Sequence, residues 1–127
     1  MSQREQALLL LRKAREDEDL LVEIFSSARV SDEIFGFHSQ QAAEKLLKAM
    51  LADFGVDFPR THNLRLLMDM LADIGFQLPY KLQDLDFLTP YGTLFRYEYL
   101  PSDIKVDRKQ FLGMVRDLRE LVEKRVF

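Results

Sequence analysis

The sequence from Phe37 to Gly55 reads FHSQQAAEKLLKAMLADFG. Its apolar residues recur at spacings of three and four, which is the period of an α-helix with one buried face. These apolar residues are Ala42, Ala43, Leu46, Leu47, Ala49, Met50 and Phe54. Ser31, upstream, is a favourable N-cap and Gly55 is a favourable stop. The stretch therefore predicts a helix from Ser31 or Asp32 to Phe54 or Gly55.

The rest of the sequence also has the pattern of amphipathic helices. Four further helical segments are predicted, at 2–27, 61–74, 79–97 and 107–126. We expect Pro90 to kink or end the segment that opens at Pro79, because proline interrupts helical hydrogen bonding. The links between segments are short, which favours antiparallel neighbours. The sequence predicts one all-α domain over residues 1–127, an up-and-down bundle of four to five helices.

The composition excludes several classes of protein. The 127 residues include no Cys and only two His, so we expect no disulfide, no metal site and no cofactor held by these ligands. No apolar run is long enough to cross a membrane and no secretory signal is visible, so we expect a cytoplasmic protein. The net charge of −3 argues against a general binder of duplex DNA, although a local basic groove stays compatible with it.

An acidic run, Glu16 to Asp19, interrupts the apolar face of the first segment. Asp17 and Glu18 occupy positions where the spacing expects core residues. One interpretation is a helix end, a bend or a solvated face, because charged residues are mostly exposed. The other is a polar pocket inside the bundle.

A polar stripe runs along the second helix and consists of His38, Gln41, Lys45 and Lys48, with Glu44 close by. Their spacings of three and four place them on one face. The stripe is either a solvated edge whose lysine stems cover the core, or a groove for an anion or nucleotide. In the second case the ammonium groups would contact phosphate, while Gln and His would read base edges.

Two further segments have residues that suit nucleotide contact. Residues 89–99 read TPYGTLFRYEY and combine Tyr91 and Tyr97 with Arg96, side chains that stack on bases. The alternative is that the rings are core and Arg96 pairs with a carboxylate. Residues 60–63 read RTHN at a predicted helix start, which favours an anion. The alternative there is a simple helix cap with a surface histidine, His62.

These stretches resemble the HEPN domain family, named for higher eukaryotes and prokaryotes nucleotide-binding. Residues 37–49 are similar to the signature of its second helix. Residues 58–64, FPRTHNL, resemble the family's Pro-x-Thr-His-Asp/Asn-Leu stretch. The segment from Tyr91 to Tyr97 resembles the family's Tyr…Arg-Tyr stretch. The family's Pro after that Tyr is replaced here by Glu98. Residues 14–20 resemble its acidic first helix less closely.

The resemblance implies a helical bundle that is commonly dimeric and contacts nucleotides or RNA. It also implies a partner, a minimal nucleotidyltransferase, with which small prokaryotic HEPN proteins form toxin–antitoxin pairs. Many family members are metal-independent ribonucleases whose motif is Arg followed, after four to six residues, by His. Here eight residues separate Arg29 from His38 and one separates Arg60 from His62, so the motif is absent.

Three functions therefore stay open. The leading hypothesis is a nucleotide- or RNA-binding module, a homodimer paired with a nucleotidyltransferase. Its expected binding residues are His38, Gln41, Lys45, Lys48, Tyr91, Arg96 and Tyr97. The second is a ribonuclease toxin with an unconventional catalytic site formed by His38, His62 and Arg96. The third is a structural dimeric protein without a ligand. The missing motif favours a protein that is not an enzyme.

Overall fold

The structure is a computed structural model that describes residues 1–92 and 105–127. Within these ranges the chain forms four α-helices and two 3₁₀ helices, with no strand. The α-helices are α1 (Gln3–Ile24), α2 (Asp32–Asp53), α3 (Leu64–Asp73) and α4 (Arg108–Val126). The 3₁₀ helices are Tyr80–Leu82 and Leu85–Gly92. The predicted all-α bundle is confirmed.

Helix α2 lies at the centre of this bundle and packs against α1, α3, α4 and the second 3₁₀ helix. Its aliphatic face is fully buried, from Ala42 to Leu51. The predicted ends of α2 and α4 agree with the structure to within two residues. Ser31 and Asp107 cap them by accepting hydrogen bonds from the backbone N–H of Ile34 and Gln110. None of the described helices is long and apolar enough to span a membrane.

The acidic run does not end the first helix. Helix α1 continues through it to Ile24. Asp17 and Glu18 are buried, with 9% and 8% of their surface exposed. The interpretation as a helix end or a solvated face is therefore wrong for these two residues. Lys45 from α2 pairs with Asp17, and Arg119 from α4 pairs with Glu18.

Two other sequence predictions need correction. Helix α3 begins at Leu64 and not at Thr61, because the Asn63 side chain accepts from the backbone N–H of Leu66 and so caps the helix. The segment that opens at Pro79 is not an α-helix but two short 3₁₀ helices. Pro90 lies inside the second, where proline cannot supply the N–H that an α-helix needs.

The second 3₁₀ helix approaches α2 closely at two glycines. A Cβ placed on Gly36 would lie 2.4 Å from Cδ1 of Tyr91. A Cβ placed on Gly92 would lie 2.4 Å from Cδ and Oε1 of Gln40. Only a residue without a side chain fits at either position, so this contact fixes the Gln40 side chain against the 3₁₀ helix.

Arg108 holds the link between α1 and α2. Its Nη1 donates to the carbonyl oxygens of Ile24, Phe25 and Ser27 at 2.8, 3.2 and 3.1 Å. Its Nη2 donates to the carbonyl oxygen of Val30 at 2.6 Å. A cation at the C-terminus of a helix is also favoured by the helix dipole. The first residue of α4 therefore fixes where α1 ends.

Candidate functional site

The polar stripe faces α1 at one end. His38 Nδ1 lies 3.2 Å from Asp17 Oδ1, and Lys45 Nζ lies 2.6 Å from Asp17 Oδ2. The side chains of His38 and Lys45 are 26% and 28% exposed, while that of Asp17 is 12% exposed. The buried carboxylate therefore sits beneath two half-buried groups and fixes their positions. Asp17, Lys45 and His38 thus form one carboxylate–lysine–histidine cluster.

A second cluster of the same kind lies on the side of α2 that faces α3. Lys48 Nζ lies 2.9 Å from Glu44 Oε2, and His62 Nδ1 lies 2.7 Å from Glu44 Oε1. Gln40 Nε2 donates to Glu44 Oε1 and to the His62 carbonyl oxygen, both at 3.1 Å. Gln41 Nε2 donates to Gln40 Oε1 at 2.8 Å. This network joins the polar stripe to the link before α3.

Glu44 is ionised in this network. Burial acts to raise its pKa, but hydrogen bonds from Lys48, His62 and Gln40 outweigh burial and hold the pKa below its ordinary value. The Glu44 side chain is only 8% exposed, so its charge depends on these donors. Removing one donor would leave a carboxylate in a poorly solvated place. Glu44 therefore organises the second cluster.

The link before α3 contributes an exposed imidazole and an exposed guanidinium. His62 has 54% of its side chain exposed, and its ring contacts Glu44 through Nδ1. Arg60 is exposed as well. Lys48 Nζ lies 5.7 Å from the centre of the Phe58 ring, a cation–π contact that holds the lysine beside this link. A phosphate could reach Arg60 and His62 from solvent.

The other candidates lie apart from this site or outside the described residues. Tyr91 is 4% exposed and packs edge-on to Phe111, so its ring is a core ring and leaves no face for a base. Burial raises the pKa of Tyr91. Arg96 and Tyr97 lie outside the described residues. Among the described residues, no group of three His, Cys, Asp or Glu is arranged to hold a metal ion.

A third charged cluster joins α1 to α4. Arg119 Nε lies 2.8 Å from Glu18 Oε1, and Arg119 Nη1 lies 3.2 Å from Glu123 Oε1. Arg15 Nη2 lies 3.0 Å from the same oxygen of Glu123. Hydrogen bonds from Arg15 and Arg119 outweigh burial and lower the pKa of Glu123. The charges in this cluster satisfy one another, which indicates a structural role.

Sequence reasoning missed the central place of Gln40 and Glu44. Both are buried on the same helix as the polar stripe. One signal was present: Gln40, Glu44 and Lys48 are spaced four apart, which places them in one row along a helix. The contacts that define their roles, to His62 and Gly92, come from other parts of the chain and have no local signature.

Comparison with known proteins identifies the family. A family model described as the HEPN domain matches residues 7–125, nearly the whole chain. No curated protein and no solved structure matches the chain. The chain belongs to the HEPN domain family.

Proposed function

We propose that this chain is a nucleotide- or RNA-binding module and that its binding surface is the polar stripe together with the link before α3. Family membership supports a nucleotide- or RNA-related module. One observation carries the assignment to this surface: Lys45 and Lys48 each donate to a buried carboxylate that also contacts a histidine. Preorganised donors lose little freedom when a ligand binds.

The chemistry of the surface suits a single-stranded or mononucleotide ligand. Ammonium groups bind phosphate as point charges, and the amide of Gln41 can pair with a base edge. The stripe is one helix face, and the chain as a whole is acidic. A confined cationic surface on an acidic protein favours a short contact over a long duplex footprint.

The test is titration with ATP and with short RNA at low salt. The stripe variant carries Lys45→Gln and Lys48→Gln, and its matched control carries Lys109→Gln and Lys124→Gln on α4. Both variants remove two positive charges, so the net charge of the protein is the same in each. We expect the stripe variant to lose affinity by about 25-fold, about fivefold for each lysine–phosphate contact. The control should change affinity by less than about threefold.

Two results would overturn this assignment. One is the absence of binding by the wild-type protein to either ligand at low salt. The other is an equal loss in the stripe variant and in the control, since that would mean that only the net charge matters. Thermal unfolding of each variant checks that the bundle is intact.

We also propose that the module acts in the cytoplasm as a homodimer, paired with a minimal nucleotidyltransferase in a toxin–antitoxin-type system. Family membership supports this proposal. Sequencing the neighbouring genes tests whether one encodes a minimal nucleotidyltransferase, and co-expression with that protein followed by co-purification tests the pairing. Separate elution of the two proteins, with no effect of one on growth inhibition by the other, would contradict it.

A second candidate function is a metal-independent ribonuclease, and one observation favours it. Glu44 Oε1 lies 2.7 Å from His62 Nδ1, so the carboxylate fixes the imidazole by this nitrogen. A histidine held in this way can accept the proton of a ribose hydroxyl as a general base. In an RNA cleavage assay with a chelator present, His62→Ala should lower the rate by about 10²-fold or more. Cleavage that His62→Ala leaves unchanged would remove this assignment.

A further inference from the structure

The fixed charges of the polar stripe cancel one another. Lys45 Nζ lies 2.6 Å from Asp17 Oδ2, and Lys48 Nζ lies 2.9 Å from Glu44 Oε2. Each ammonium is thus balanced by a carboxylate at hydrogen-bonding distance. The two lysines can donate hydrogen bonds to a phosphate, but the four groups together add no net charge to attract one.

Two imidazoles are built into the same network. His38 Nδ1 contacts Asp17, and His62 Nδ1 contacts Glu44. Histidine is the side chain whose charge ordinarily changes between about pH 5 and 8. When both are neutral, the two clusters carry no net charge. When both are protonated, the clusters carry two positive charges.

The surroundings of each imidazole are defined by two elements. His38 on α2 faces Asp17 on α1 and lies near Lys45, which shares that carboxylate. The ring of Phe37 packs edge-on to it, with centroids 5.2 Å apart. Within residues 1–92 and 105–127, the ion pairs around His38 therefore comprise one carboxylate and one ammonium.

The His62 ring faces Glu44 and Lys48 on α2. Arg60 precedes it in the link and is exposed, with no carboxylate partner among the described residues. Because His62 is itself 54% exposed, a phosphate can approach Nε2 without any rearrangement of Glu44.

We infer that His38 and His62 are the groups that recruit the phosphodiester backbone of RNA to the polar stripe, and that affinity for RNA rises as the two imidazoles are protonated. This inference rests on the proposed function and adds to it the source of the net positive charge. The carboxylates hold each imidazole by Nδ1, so Nε2 is the nitrogen that would donate to a phosphate oxygen. The lysines then act as fixed hydrogen-bond donors.

The experiment is titration of a short oligouridylate at about pH 8 and about pH 5.5, since uracil and phosphodiesters keep their charge over this range. A unit charge 4 Å from a phosphate is worth about a factor of five in water. We therefore expect RNA to bind about 25-fold more tightly at the lower pH. The slope of log affinity against log salt should also steepen by about 1.4, because two more phosphates are neutralised.

The chain contains only two His, so a double variant, His38→Gln and His62→Gln, leaves none to titrate. The protein is purified without a histidine tag. The double variant should bind RNA with the same affinity at both pH values, and each single variant should keep about a fivefold response. The single variants provide the test if the double variant does not fold.

The outcomes separate this inference from the proposed function. Wild-type protein that binds RNA at neither pH contradicts both. Wild-type protein that binds equally well at both pH values contradicts this inference alone. A double variant that keeps the wild-type response would also overturn it, because the response would then come from other groups.

Discussion

Replacement of Glu44 by glutamine is the sharpest test of how the site is built. Glu44→Gln keeps the shape of the side chain but removes the charge that holds Lys48, whose side chain is only 13% exposed. The amide oxygen can replace one of the two carboxylate oxygens, but the amide N–H groups then face the donors at the other oxygen. A hydrogen bond to a charged group contributes about 1.5–3 kcal/mol. We expect the free energy of unfolding to fall by about 2–3 kcal/mol near neutral pH.

The loss of stability in Glu44→Gln should depend on pH, and the pKa of Glu44 determines the direction. The pKa of Glu44 is lowered in the folded protein, so its contribution is fully present above the pKa of the unfolded chain. It disappears as the pH falls through the folded-state pKa. Wild type and Glu44→Gln should therefore converge in stability on acidification, because both then carry an uncharged side chain at this position.

Urea unfolding at about pH 7 and about pH 3 measures this difference. Glu120→Gln is the matched control, because Glu120 is an exposed glutamate on α4, and such a surface change should alter stability by less than about 0.5 kcal/mol at either pH. A Glu44→Gln variant as stable as wild type at neutral pH would refute the assigned role of Glu44. So would a difference that stays constant on acidification.

Two further predictions concern the framework around the site. Arg108→Ala should lower the free energy of unfolding by about 3 kcal/mol, since its two shortest bonds to carbonyl oxygens are lost. Arg108→Lys should recover only part of that stability. Urea unfolding measures both variants. Gly36→Ala should destabilise the protein by about 1–3 kcal/mol, because the new Cβ would clash with Tyr91. Gly113→Ala should stabilise α4 by about 0.5–1 kcal/mol, because a Cβ at position 113 would have no atom within 4 Å. Equal shifts in melting temperature for the two glycine variants would contradict this reasoning.

The parts of the fold that the sequence predicts well have local causes. Helices α2 and α4 carry apolar residues at helical spacing between a capping side chain and a stop, and both match the structure. The segment after Pro79 also has apolar residues every three positions, Leu82, Leu85 and Leu88, all fully buried. That spacing fits a 3₁₀ helix as well as one face of an α-helix, so periodicity could not separate the two.

The candidate site was predictable only in part, for a different reason. The polar stripe is a local pattern, and the structure places its members on one helix face, as their spacing predicts. Asp17 and Glu44 were visible as charges near apolar positions, but their partners from other parts of the fold, Lys45 for Asp17 and His62 for Glu44, lie 28 and 18 residues away in the chain. Contacts over such separations are set by how helices pack, which one sequence does not encode in its local pattern. The sequence left open whether the Tyr91 ring lies in the core or contacts a base for the same reason, because Gly36 is what makes room for the ring.

The contact between Gly92 and Gln40 has a consequence for how this surface can diverge among relatives. Exposed residues beside the polar stripe, such as Arg60, can be exchanged one at a time, since each change meets solvent. Positions 40 and 92 cannot, because a side chain at 92 would occupy the space of the Gln40 amide. A larger residue at 92 requires either that the Gln40 amide moves or that a smaller residue replaces Gln40, and both changes would remove the donor to Glu44. We therefore expect the two positions to vary together across the family, and relatives in which both have changed to have rebuilt the network beneath the stripe.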